Sequence, residues 1–179
     1  MKALKIVFIA LLSLNSIWSC SSSNNNKTAE QAPSNLPQSM PAKSTSSPTF
    51  VVADLKGNSH TFEEFKGKGP LMLNFWGTWC PPCRRELPDL VKIYEEYKPK
   101  GLEIVGLAVK DTPEKVRQFA GENNLNWVML MANMDAMVSF GATQGVPTTI
   151  FFDKNGFEKA RYIGARSYED FKAEVEKIL

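Results

Sequence analysis

Two cysteines separated by two prolines, Cys80-Pro81-Pro82-Cys83, follow a mainly apolar run from Leu71 to Trp76 after the short connection Gly77-Thr78-Trp79. The run reads as a buried strand and the prolines as the opening of a helix, so both thiols fall in a first helical turn. Two cysteines at this spacing can close a disulfide with little backbone movement. Unpaired backbone N–H groups and the positive end of the helix dipole favour a thiolate at Cys80, which makes it the candidate nucleophile. Cys83, a turn further in, is the candidate thiol that resolves a mixed disulfide. Pro81 and Pro82 cost little, because the first helical positions have no intrahelical N–H bond to lose. Pro88 lies inside the same helix and is expected to kink it.

The longer pattern Asn74-Phe75-Trp76-x-x-Trp79-Cys80-Pro81-Pro82-Cys83-Arg84-x-Glu86-x-Pro88, with Gly145-Val146-Pro147-Thr148-Thr149 far downstream, resembles the thioredoxin superfamily. Within it, the chain is similar to the TlpA/ResA-like branch of membrane-tethered thiol-disulfide oxidoreductases, from about Pro48 to the C-terminus. The resemblance implies an α/β, thioredoxin-like fold: a mixed central sheet flanked by helices, with an N-terminal β-hairpin and a central strand–helix insertion. It implies a redox-active Cys80–Cys83 pair and a cis peptide bond before Pro147, which packs against the dithiol. Val146 then offers backbone hydrogen bonds to an extended client, and Trp79, Pro81 and Pro82 belong to the client-contact surface. Glu86, three residues after Cys83 and on the same helix face, is implied to exchange a proton with the inner thiol. Asn74 stands where plain thioredoxins carry a buried aspartate. An asparagine cannot ionise, which turns attention to Glu86.

The chain has 179 residues, room for one ordinary domain plus extra segments. Its formal charge of +2 includes Lys2 and Lys5, both expected to be removed, so no basic footprint points to nucleic acid. One histidine, His60, and three cysteines are too few for most closed zinc sites, and no metal or cofactor is expected. His60 reads as a solvated strand position.

The N-terminus has a different logic. Lys2 and Lys5 precede an apolar core from Ile6 to Leu12, and Ile17-Trp18-Ser19-Cys20 resembles a bacterial lipobox, with Trp18 a departure from its pattern. The expected organisation is a lipoprotein signal peptide at residues 1–19, a lipidated Cys20 heading a disordered tether at 20–47, and the thioredoxin-like domain at 48–179. The tether is rich in Ser, Asn, Pro, Thr and Gln and cannot bury enough surface to fold. Its reach is on the order of 30 Å. The chain is thus expected to be an extracytoplasmic, membrane-anchored lipoprotein, on the periplasmic side or the cell surface.

In the domain, Phe50–Ala53 and His60–Phe62 flank a turn at Lys56-Gly57-Asn58 and form the expected hairpin. Leu87, Leu90, Val91 and Tyr94 continue the cysteine-bearing helix to a stop at Lys98-Pro99-Lys100-Gly101. A strand from Leu102 to Val109, a helix capped by Asp111 or Thr112 and a strand from Trp127 to Met131 follow. Strands Thr148–Asp153 and Glu158–Ile163 flank a turn at Lys154-Asn155-Gly156, and the last helix turns Tyr168, Phe171, Val175 and Ile178 inward.

The expected activity is exchange of disulfides with client proteins, in the direction of reduction. Resemblance suggests apocytochrome c haem-site cysteines or other envelope disulfides as clients, a membrane thiol reductase as electron donor, and a monomer. Three rivals remain open: a disulfide-forming oxidase, a peroxiredoxin-type peroxidase, and a copper chaperone using the dithiol with Met129, Met131, Met134 and Met137. Methionine commonly fills irregular core gaps, which with local chance is the simpler account of that run.

Overall fold

The computed structural model describes residues 47–179. The signal segment, Cys20 and nearly all of the expected tether lie outside the described residues. A seven-stranded mixed sheet has the order β2-β1-β5-β4-β3-β6-β7. Its strands are β1 (Val51–Asp54), β2 (Ser59–Thr61), β3 (Leu71–Trp76), β4 (Glu103–Val109), β5 (Val128–Ala132), β6 (Thr148–Phe152) and β7 (Glu158–Ile163). β3, β4 and β5 run parallel; β1 joins β5, and β6 joins β3, in antiparallel fashion. The interior strand β3 is buried at all six positions, as a strand covered on both faces requires.

Four helices complete the domain: α1 (Pro81–Tyr97), α2 (Pro113–Glu122), α3 (Met134–Ser139) and α4 (Tyr168–Ile178). One core layer gathers Leu87, Leu90 and Ile93 of α1, Val116 of α2 and Phe171, Val175 and Ile178 of α4 around Trp76 and both site cysteines. On the other face Phe50, Phe62, Phe75, Phe140 and Phe152 pack in tilted and edge contacts, with ring centres 4.9–6.4 Å apart. Phe140 follows α3, a six-residue helix capped by Asn133. That helix was not anticipated from sequence, because six residues are too few to display a helical period. Elsewhere the expected elements and the observed ones agree to within a residue or two at each end, and Thr112 is the cap of α2.

Helices α1 and α4 are fastened by tyrosine–glutamate pairs. Tyr97 donates to Glu176 at 2.9 Å and Tyr168 donates to Glu96. The sheet ends in guarded edges: β2 is three residues long, and β7 carries Glu158, Lys159 and Arg161, with Glu158 and Arg161 paired at 2.8 Å.

Gly106 on β4 shows how tightly the layer behind the site is packed. A methyl group at its Cα would lie 2.8 Å from Met129 Sδ and 3.1 Å from the indole Nε1 of both Trp127 and Trp76. Gly106→Ala is expected to destabilise the fold by about 1–3 kcal/mol, with altered tryptophan emission, in urea unfolding followed by fluorescence.

Candidate dithiol active site

The site is built where β3 hands over to α1. Gly77 has no room for a side chain: a Cβ there would lie 2.6 Å from the indole Nε1 of Trp79, which folds back over it. Two contacts, from the end of β4 and from the connection that follows it, pin this turn. The Thr78 N–H donates to Asp111 Oδ2 at 2.7 Å, and Trp79 Nε1 donates to the Val109 carbonyl at 2.8 Å. Trp79 is nonetheless 53% exposed, while Trp76 is sealed in the core.

Cys80 is the N-cap of α1, and its Sγ accepts the Cys83 N–H at 3.2 Å. Pro81 and Pro82 occupy the first helical positions, and Pro88 is accommodated within the helix. The two cysteines form a disulfide with a Cα–Cα separation of 5.3 Å. In this closed state both are buried, Cys80 at 2% and Cys83 at 0% exposure. The peptide bond between Val146 and Pro147 is cis, and the Val146 carbonyl oxygen lies 3.6 Å from Cys80 Sγ.

Glu86 is turned into the protein, 2% exposed. Its Oε1 accepts from Asn74 Nδ2 at 3.0 Å and its Oε2 accepts from the Arg166 N–H at 3.2 Å. Burial penalises the ionised carboxylate and, against the opposing pull of those two donors, raises the pKa to about 7. The Arg166 guanidinium stacks 4.7 Å from the centre of the Tyr162 ring, whose hydroxyl donates to Glu174 at 2.7 Å. Sequence reasoning picked out Asn74 and Glu86 but missed Thr149, which accepts a second hydrogen bond from Asn74 Nδ2 at 3.0 Å, and Arg166. Neither is near the cysteines in sequence.

The other singled-out residues lie apart. His60 Nδ1 is 2.8 Å from Glu64 and Nε2 is 3.6 Å from Asp54 in the N-terminal hairpin, and the hydrogen bond to Glu64 leads in raising its pKa. The methionines do not converge. Met129 and Met131 pack in the layer containing the cysteines, Met137 packs in the opposite one, and Met134 is 60% exposed. Among the described residues no group of three or more His, Cys, Asp or Glu side chains is placed to hold a metal.

A disulfide capping a helix N-terminus, a cis-proline loop against it and a mixed sheet behind it define a thioredoxin-fold thiol-disulfide oxidoreductase. Comparison with known proteins agrees: the profile of the AhpC/TSA family matches residues 44–160, and the chain belongs to that family. It is 36% identical over 137 residues to the thiol-disulfide oxidoreductase ResA of Geobacillus kaustophilus, covering 76% of this chain and 78% of that one. The ResA of Bacillus cereus is 34% identical over 131 residues, covering 73% and 75%. Among solved structures, a thiol:disulfide interchange protein of the thioredoxin family from Chlorobium tepidum superposes with a TM-score of 0.66 at 28% identity, covering 74% of this chain and 94% of that one. The thioredoxin domain of a Bacteroides vulgatus thiol-disulfide oxidoreductase gives 0.63 at 30% identity, covering 73% and 93%.

The position of Glu86 has a measurable cost. Its proton affinity is raised in the folded state, so the fold loses stability as pH rises from the unfolded carboxyl value of 4.5 through about 7. Glu86→Gln is expected to flatten the unfolding free energy across this window, removing a slope of up to about 1.4 kcal/mol per pH unit. Urea unfolding of the oxidised protein at pH 5, 6, 7 and 8 measures it.

Proposed function

We propose that the chain is an extracytoplasmic reductase of protein disulfides, with Cys80 as nucleophile and Cys83 as resolving thiol. The observation that supports this best is the sulfur cap of α1: Cys80 Sγ accepts the Cys83 N–H at 3.2 Å, a contact that strengthens when the sulfur carries charge. In the reduced protein the Cys80 thiolate attacks one sulfur of a client disulfide. The client S–S bond breaks, and the departing client thiolate takes a proton from solvent. Cys83 then passes its proton to the Glu86 carboxylate and attacks Cys80 Sγ. The mixed disulfide breaks, the second client thiolate leaves, and the Cys80–Cys83 disulfide holds the oxidising equivalents.

Trp79, Pro81, Pro82, Val146 and Pro147 form the client contact, with the Val146 backbone pairing to an extended segment around the client cysteine. A membrane thiol reductase supplies the two electrons that reopen the disulfide. Lipidated Cys20 anchors the protein, a monomer, to the membrane. Cysteines of apocytochrome c haem sites are a client class that fits an envelope reductase of this kind.

The direction of exchange is read from the reduction potential. Titration against glutathione and dithiothreitol buffers is expected to give a value near or below about −250 mV, in the thioredoxin range; a value near about −120 mV would identify an oxidant instead. Peroxide turnover that survives loss of Cys83 would favour a peroxidase. With a disulfide-bearing client, Cys83→Ser is expected to accumulate a mixed disulfide visible on non-reducing gels, while Cys80→Ser accumulates none.

A further inference from the structure

Among the described residues the amide oxygen of Asn74 is buried without a partner, as are Nε of Arg166 and the indole nitrogens of Trp76 and Trp127. Asn74 is 1% and Thr149 2% exposed, and the two are cross-strand partners in the register of β3 and β6. The amide nitrogen makes both of the side chain's contacts, donating to Glu86 Oε1 and to Thr149 Oγ1 at 3.0 Å each. Glu86 therefore meets a donor at each oxygen, Asn74 Nδ2 at Oε1 and the Arg166 N–H at Oε2. This pattern suits a carboxylate, which can only accept.

A protonated Glu86 needs the opposite. With the proton on Oε1, its O–H would point at the hydrogens of an NH2 group. A half-turn of the Asn74 amide exchanges Nδ2 and Oδ1 and sets a carbonyl oxygen between Glu86 Oε1 and Thr149 Oγ1. Both neighbours can then donate to it, Glu86 through its acid proton and Thr149 through its hydroxyl. Leucine, with the same shape, could serve neither form, and aspartate would set a second carboxyl beside the first.

We propose that Asn74 is a positioning residue whose side-chain amide turns over as Glu86 gains and loses its proton, with Thr149 as the hydroxyl that accepts in one orientation and donates in the other. The inference rests on Glu86 taking the Cys83 proton, as proposed above. The proton that leaves Cys83 stays on Glu86, and the turnover moves no proton or electron of its own. Several elements supply the groups around Glu86. The loop before α4 contributes Arg166, stacked on Tyr162 of β7; α1 contributes Cys83 and Asp89; β3 and β6 contribute the neutral Asn74 and Thr149. Asp89 is engaged with the Tyr168 N–H at 3.2 Å and with Lys92 at 3.3 Å.

The test begins with the oxidised full chain, in which the disulfide cysteines do not titrate. The Asn74 side-chain amide and the Glu86 carboxyl carbon are followed by NMR from pH 5 to 9. The amide signals are expected to shift with the same midpoint as the carboxyl, and to lose that shift in Glu86→Gln. Asn74 signals that stay constant while Glu86 titrates would overturn the proposal. In the reduced chain, loss of an amide that only donates (Asn74→Leu) would raise the Glu86-linked inflection in Cys80 alkylation rate by about one pH unit, whereas loss of an amide that serves both forms of the carboxyl is expected to move it by less. A rise of a full unit would count against the turnover, since a fixed donor predicts it. If the wild-type chain still reduces client disulfides while its Asn74 signals stay flat, the turnover fails and the oxidoreductase reading stands. If wild-type reduction itself fails, the reading of the site falls, whatever the amide does.

Discussion

The first turn of α1 is capped by sulfur where helices commonly use oxygen. Side-chain oxygens of Ser, Thr, Asp and Asn usually satisfy the first free N–H groups of a helix; here the Cys80 sulfur does it. The cap ties the strength of a structural hydrogen bond to the redox state of the same atom. It holds only if Cys80 stays in place, and much of the surrounding structure serves that end. The buried strand β3 fixes the approach, Gly77 allows Trp79 to fold back, Asp111 and Val109 pin the turn, and Val146 closes over the sulfur.

Two opposing electrostatic effects meet around this turn. The helix N-terminus favours negative charge on Cys80, while burial disfavours it on Glu86. A carboxyl left in water would sit well below a thiol in proton affinity. Burial brings the carboxyl closer to the range in which a thiol and a carboxyl can exchange a proton. Asn74 and the Arg166 backbone temper the effect by offering hydrogen bonds to the carboxylate. The carboxyl thus remains titratable without being displaced to the surface.

How much of this was legible in the sequence depended on distance along the chain. The strand–turn–helix around Cys80, the hairpin around Asn155-Gly156 and the inward stripe of α4 are local patterns, and local patterning announces them. Glu86 was legible as a residue one turn beyond Cys83. Its surroundings were not, because Thr149 lies 75 residues from Asn74 and Arg166 lies 80 from Glu86. Those contacts exist only once β6 has paired with β3 and α4 has packed on α1. Likewise the methionine run looked like one cluster on paper, but β5 and α3 send its members to different layers and to solvent.

The guarded ends of the sheet acquire meaning in light of the chemistry. A protein that exchanges disulfides meets chains that are incompletely folded and carry unpaired backbone. A long, uncharged outer strand would recruit such chains anywhere along its length, away from the reactive sulfur, and would invite aggregation. The three-residue β2 gives little purchase, and the charged side chains along β7 discourage pairing there. The architecture is in this sense selectively sticky. It refuses the strand-to-strand adhesion that its own sheet is made of.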